Sequence, residues 1–216
     1  MKVLKSISTK EKPKKKRSII LASRSTARKE ILKMLGYRVI VVVPVVEETR
    51  VKKGSLEYVA RIVEQNALRK AQKTYEVAGN HPVVAADTLI YIDGIVYGKP
   101  KDEKEAKNTL LHLRGREHIV VTGYAVLYRG EKIVGHRKTI VKMRNFIAEE
   151  LEYYLSTKEY LGKAGAYSIQ GLGGTLVEEI RGCYYNVVGL PLPDIIECFV
   201  KLKIWPPEIK YLSLRR

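Results

Sequence analysis

The residue with the most chemistry to explain is Asp87, a lone carboxylate inside the apolar run VVAADTLIYI from Val83 to Ile92. A charge in a strand that reads as buried is costly unless a metal ion or a nearby cation compensates it. Asp93-Gly94 follows, a pair that readily takes the positive-φ geometry of a tight hairpin turn. The returning arm ends at Gly98-Lys99-Pro100, so Lys99 is the cation on offer. Two readings stand: a working carboxylate, or a structural one held at a strand end by that lysine. Ser23-Arg24-Ser25-Thr26-Ala27-Arg28 joins another apolar strand to a run with Ile31, Leu32 and Leu35 at helical spacing. Ser25 is the expected N-cap. Free N–H groups, the helix dipole, Ser23, Ser25 and Arg28 would together make a phosphate site, the alternative being a basic surface helix with a good cap. Glu47-Glu48 lies in the next loop. Beside a phosphate site a carboxylate pair suits a divalent ion, and solvent-facing loop acids are the plainer explanation. The Gly/Ala-rich stretch GKAGAYSIQG, residues 162–171, carries Lys163 and Gln170. It is too irregular for a core element and too long for a plain turn, the pattern of a functional loop.

The elements that would hold these groups follow from spacing and punctuation. Strands are expected at 18–22, 38–43, 83–92 with its hairpin partner, 118–128, 132–146, 173–180 and 183–188. Helices are expected from Ser25 to Gly36, from Ser55 to about Ala78, from Asp102 to Gly115 with Leu110, Leu111 and Leu113 on its core face, at 148–156, and from Leu190 to about Ile204. Strands alternating with helices make the chain α/β.

The 216 residues suffice for one substantial core. Residues 18–204 read as one domain, preceded by a basic arm over 1–17 and followed by a tail over 205–216. No apolar run approaches the roughly 18 residues of a membrane span, and the charged start has no signal-peptide pattern. Cys183 and Cys198 give no disulfide framework and no metal spacing, so a reducing, cytoplasmic setting is expected. The net charge of +17 favours anionic partners. The arm Lys10–Arg17 is either a solvated tail or a nucleic-acid tether.

Taken together the motifs resemble the Maf family of nucleoside triphosphate pyrophosphatases. LASRSTARKEIL (Leu21–Leu32) is similar to that family's LASxSPRRxELL. Glu47-Glu48 falls at its acidic pair, and AADTLIYIDGIVYGKP resembles its ADT…DG…GKP block. TGYAV (Thr122–Val126), GKAGAYSIQG and YYNVVGLPL (Tyr184–Leu192) follow in the family's order. The resemblance implies a long bent mixed sheet between helical lobes, an ITPase-like fold with a central nucleotide cleft, and commonly a homodimer. It implies hydrolysis of a nucleoside triphosphate to the monophosphate and pyrophosphate with Mg2+ or Mn2+. By it Asp87 is the proton acceptor for water, Glu48 and Asp87 hold the metal, and Lys99 supplies positive charge. Ser23, Ser25, Arg28, Thr88, Lys163 and Gln170 bind substrate. The subfamily acting on dTTP and UTP has Arg, Thr and Gln at three specificity positions, and the class acting on methylated GTP has Trp, Gln and Glu. Thr88 and Gln170 match the first class. The remaining position is Ala27, preceded by Thr26 where the family has Pro. Asn66 stands where the family often has Lys, with Lys70 as a substitute cation. The expected substrates are therefore dTTP or UTP; the alternatives are another base, or an inactive protein that binds nucleic acid.

Overall fold

The computed structural model of the chain describes residues 17–205. The expected arm over 1–17 falls outside them except for Arg17, and the tail over 205–216 except for Trp205. Strand β1 (Ser18–Leu21) runs into helix α1 (Thr26–Met34), where the Ser25 hydroxyl accepts from the Arg28 N–H at 3.3 Å. Strand β2 (Arg38–Val41) leads through a loop to α2 (Leu56–Tyr75), capped by Ser55. Strands β3 (Val83–Ile92) and β4 (Ile95–Tyr97) form the expected hairpin. Asp93 and Gly94 both have positive φ, 48° and 78°, the turn geometry whose twist suits flanking strands. Next come α3 (Glu103–Leu113), the long hairpin of β5 (Glu117–Tyr128) and β6 (Glu131–Met143), and α4 (Ala148–Ser156). The chain closes with two 3-10 turns at Ala164–Ala166 and Leu172–Leu176, then β7 (Val177–Arg181), α5 (Tyr184–Val188) and α6 (Leu192–Lys201).

The strands form one seven-stranded mixed sheet in the order β2-β1-β3-β5-β6-β7, with β4 added to β3. β1 is parallel to β2 and β3, and the other pairings are antiparallel. Side chains alternate between faces, and the two faces are covered differently. On one, α2 packs Ala67 and Ala71 on Ala85 and Ala125, and Val59 and Val63 on Val121. On the other are two separate clusters. One joins α1 and α6 to Val84 and Ala86, and the other joins α3 and α4 to Ile90 and Val120. Thr88 lies between them. The sheet itself is interrupted at the same point. β1 pairs with β3 only at Val83 and Val84, and β4 only from Ile90 to Ile92. Along that edge the stretch 85–89 has no strand neighbour, so Asp87 and Thr88 sit deep in the molecule beside an open edge.

Four expectations differ in detail. The segment 173–180 begins as a 3-10 turn, because the Glu159 carboxylate accepts the N–H groups of Leu172 and Gly173, each at 2.9 Å, and keeps them out of the sheet. The strand-like run 183–188 is helix α5. Asn186 within it donates to the Val120 carbonyl and to Thr139 Oγ1, both at 3.0 Å, so tertiary hydrogen bonds override β propensity. β6 stops at Met143 rather than Phe146, because the Arg144 N–H turns to the Leu176 carbonyl at 2.8 Å. Leu111 is 45% exposed, and Leu110 and Leu113 carry the core face of α3.

His118 on β5 is fully buried, with Nε2 2.8 Å from the Tyr167 hydroxyl, and burial pushes its imidazolium down from 6.5 to about 4. The ring is neutral in the folded chain, while the unfolded chain takes up its proton near pH 6.5. Its contribution to stability is therefore complete above pH 6.5 and is lost as pH falls toward 4, by about 3 kcal/mol in all. Denaturant unfolding of His118→Gln between pH 4 and 7 should show a shallower pH dependence than the parent. Parallel curves would mean that the imidazole titrates in the fold as it does in the unfolded chain.

Candidate active site

A cleft of about 430 Å³ opens at the gap between the two clusters, lined by the N-terminus of α1, the open edge of β3 and the 162–170 loop. Eight of the ten residues singled out from sequence line it: Ser25, Ala27, Arg28, Asp87, Thr88, Lys99, Lys163 and Gln170. Ser23 stands behind it, its Oγ accepting from the Ser25 N–H at 3.1 Å and Arg28 Nη1 at 3.2 Å. Glu48 reaches it through Lys70.

Asp87 is 9% exposed. Its compensating cation is Lys70 of α2 rather than Lys99: the Lys70 ammonium lies 2.8 Å from Asp87 Oδ1 and 3.0 Å from Glu48 Oε1. Asn66, one turn earlier on α2, donates Nδ2 to Asp87 Oδ2 at 2.9 Å and to the Thr49 carbonyl at 3.1 Å. Its Oδ1 accepts from the Thr49 N–H at 2.9 Å, pinning the loop that carries Glu48. Both Asp87 oxygens are thus held, and charge-assisted contacts of this kind are the stronger hydrogen bonds. From the sequence Lys70 reads only as a substitute cation. The fuller signal is a lysine seven residues after Val63 and three after Ala67, on the apolar face of a helix that would bury it.

Gly123 makes this approach possible. It is paired with Asp87 across β3 and β5, so both project toward α2. A Cβ at Gly123 would stand 2.3 Å from the Val63 carbonyl carbon and 2.5 Å from the Glu64 nitrogen. Only a residue without a side chain lets α2 touch the sheet there, and that contact delivers Asn66 and Lys70 to Asp87.

Arg28 is buried and largely committed to the protein. Nε donates to the Gly189 carbonyl at 2.7 Å, Nη1 to Ser23 Oγ and to the Ala86 carbonyl at 2.8 Å, and Nη2 to Thr88 Oγ1 at 3.0 Å. It ties α1 to the open edge of β3 and to the end of α5. Burial lowers its guanidinium below the usual arginine value, with Asp87 and Glu48 opposing. Thr88 belongs to a hydrogen-bond chain with a fixed direction. Thr122 Oγ1 donates its one hydrogen to the Asn186 carbonyl at 3.1 Å, so the 2.9 Å contact between the two threonines uses the Thr88 hydrogen. With that hydrogen spent, Thr88 offers the cleft only acceptor capacity.

Lys99 reaches the cleft from the end of the hairpin. The residue is exposed overall, yet partial burial lowers its ammonium below the usual lysine value. Arg28 and Lys70 add to that shift, and Glu48 and Asp87 oppose it. Lys163 and Gln170 approach from the opposite wall, which Gly165 ties to the hairpin by donating to the Gly98 carbonyl at 3.0 Å. The cleft therefore sets Asp87, backed by Lys70 and Glu48, opposite Lys99, Lys163 and Arg28, a cation-rich lining suited to a polyanion whose charge increases during reaction.

As a metal site the pair is a partial shell. The Glu48 and Asp87 oxygens converge on one point, and hard carboxylate donors suit Mg2+ or Mn2+ when substrate phosphates and water complete the coordination. Among the described residues no group of three or more His, Cys, Asp or Glu forms an all-protein cage. The donor set fits an ion that arrives with a phosphate ligand.

A family model described as Maf-like protein matches residues 18–202. Among curated relatives, the dTTP/UTP pyrophosphatase of Dictyoglomus thermophilum is 46% identical over 179 residues, 82% of this chain and 92% of that protein. That of Symbiobacterium thermophilum is 43% identical over 179 residues, 83% of this chain and 91% of the relative. The protein of the same name from Pyrococcus abyssi is 40% identical over 188 residues, 87% of this chain and 97% of the relative.

Gly123→Ala should cost about 3 kcal/mol or more, because the obstructing atoms are helix backbone and cannot rotate away. Denaturant unfolding measures this. Parental stability in that variant would mean that α2 does not touch β5 at this point.

Proposed function

The chain belongs to the Maf family, and from that premise we propose that it hydrolyses dTTP and UTP to the monophosphate and pyrophosphate. The observation that carries the proposal is the Asp87 cluster: a held, oriented carboxylate facing a cation-lined cleft at an open strand edge. In this reading Asp87 accepts the proton of the attacking water, and the bond between the α- and β-phosphates breaks. Lys99 and Lys163 meet the charge that develops on the phosphoryl oxygens. Ser25 and the first turn of α1 offer hydrogen bonds to phosphate, Ser23 braces that turn from behind, and Arg28 holds those elements together. Glu48 and Asp87 would hold the divalent ion, which neutralises phosphate charge and lowers the cost of forming the transition state.

Base choice rests on the opposite wall. The imide edge of uracil and thymine is one N–H between two carbonyls. The Gln170 amide supplies both a donor and an acceptor, so it can pair the imide N–H and one of the flanking carbonyls together. Ala27 also lines the cleft and takes no polar part in recognition, so discrimination falls on Thr88 and Gln170. We extend the proposal to a homodimer in the cytoplasm. Its support is the family resemblance, the free thiols of Cys183 and Cys198, and edge strand β2, where Val41 is 41% exposed. Among the described residues no helix is long and apolar enough to cross a membrane.

A panel of canonical and modified nucleoside triphosphates, assayed for pyrophosphate with Mg2+, Mn2+ or chelator, should give metal-dependent release that peaks on UTP and dTTP. A peak on a purine nucleotide would refute the base assignment. Asp87→Asn should lower turnover by a factor of about 100 or more with the chain still folded by circular dichroism. Near-parental turnover would remove Asp87 from the role of proton acceptor.

A further inference from the structure

Lys70 occupies the point where two carboxylates meet. The residue is 8% exposed, and its ammonium lies 2.8 Å from Asp87 Oδ1 and 3.0 Å from Glu48 Oε1. Those are the oxygens assigned above to the divalent ion. The second Asp87 oxygen is taken by Asn66, which is fixed at both ends of its amide by Thr49. The carboxylate therefore cannot simply rotate to offer a cation a free oxygen without breaking the Asn66 contact. Two cations cannot share the one converging point, since at close range their repulsion in a partly buried site is large.

We propose that Lys70 is a resident cation that holds Glu48 and Asp87 together in the nucleotide-free protein and competes with the divalent metal for them. Metal entry displaces the ammonium from the carboxylates, and the exchange couples metal binding to the arrival of phosphate. A protein without nucleotide then binds metal weakly, because Lys70 already satisfies the ligands. A phosphate-bearing substrate tips the exchange by supplying oxygen ligands to the ion and an anionic partner for the released ammonium. Lys70 is in these terms a positioning residue, acting through Asp87 and Glu48. The inference rests on the reading that those two carboxylates are the metal ligands.

The test is Mn2+ binding to the nucleotide-free protein, followed by electron paramagnetic resonance, in the parent and in Lys70→Gln and Lys70→Met. Glutamine keeps a hydrogen bond to Asp87 without the charge, so it serves where the methionine variant fails to fold. Both should bind Mn2+ on the order of tenfold more tightly than the parent. The Mn2+ concentration giving half-maximal pyrophosphate release should fall with it. Asn66→Lys in the Lys70→Met background should return binding to the parental value, because position 66 already touches Asp87 from the same helix. A merely structural role for Lys70 predicts weaker metal binding when it is removed. Unchanged or weaker Mn2+ binding in the glutamine variant, with binding lost in Asp87→Asn, would overturn the competition while leaving the ligands in place. Parental Mn2+ binding in both Asp87→Asn and Glu48→Gln would overturn the metal-site reading itself.

Discussion

A carboxylate inside a buried strand needs a partner, and the arrangement of the site follows from how Asp87 gets one. An isolated ionised carboxyl in an apolar setting would lose its charge or unfold its surroundings. Here one helix supplies an ammonium and an amide to its two oxygens. The helix can do so only because the residue across the strand pair is Gly123, where its backbone rests on the sheet. Removing one partner from such a cluster costs far more than the cluster contributes by forming, because the other charge is left uncompensated. The helix contact and the polar cluster therefore depend on one another.

The cleft is a product of two mismatches in the same place. On one face the helices pack in two groups and leave Thr88 between them. In the sheet, β1 is too short and β4 too late to pair with residues 85–89. Successive residues of a strand point to opposite faces, so Asp87 and Thr88 would ordinarily serve different sides of the sheet. At an open edge both reach the same cleft, one braced by α2 and the other by Arg28. Arg28 is the bracket of the second side. Its contacts to Ser23, Ala86, Thr88 and Gly189 join three segments distant in sequence: the start of α1, β3 and the end of α5. Its presence in the sequence suggested a phosphate contact, whereas most of its donors are spent on holding the walls.

Much of this was legible in the chain. The Asp93-Gly94 turn, the Ser25 and Ser55 caps and the alternation of strands and helices gave the order of elements, because turn and cap chemistry are local. Eight of the ten chosen residues line one cleft. What was not legible was tertiary. The lysine nearest Asp87 along the hairpin was Lys99, yet the partner is Lys70, brought from another helix by a glycine contact that no local pattern announces. The run 183–188 has strand composition and is helical because Asn186 finds acceptors on β5 and β6. The fixed direction of the Thr88 hydroxyl depends on Thr122 and Asn186, which only the folded chain brings together.

The central claim is that this cleft divides a nucleoside triphosphate between its α- and β-phosphates. Phosphorus NMR of UTP turning over with Mg2+ tests it directly, since each possible bond cleavage leaves a distinct set of resonances. UMP and pyrophosphate growing in equal amounts, with no orthophosphate, is the predicted result. UDP with orthophosphate, or an unchanged UTP spectrum in the presence of folded protein and metal, would contradict it.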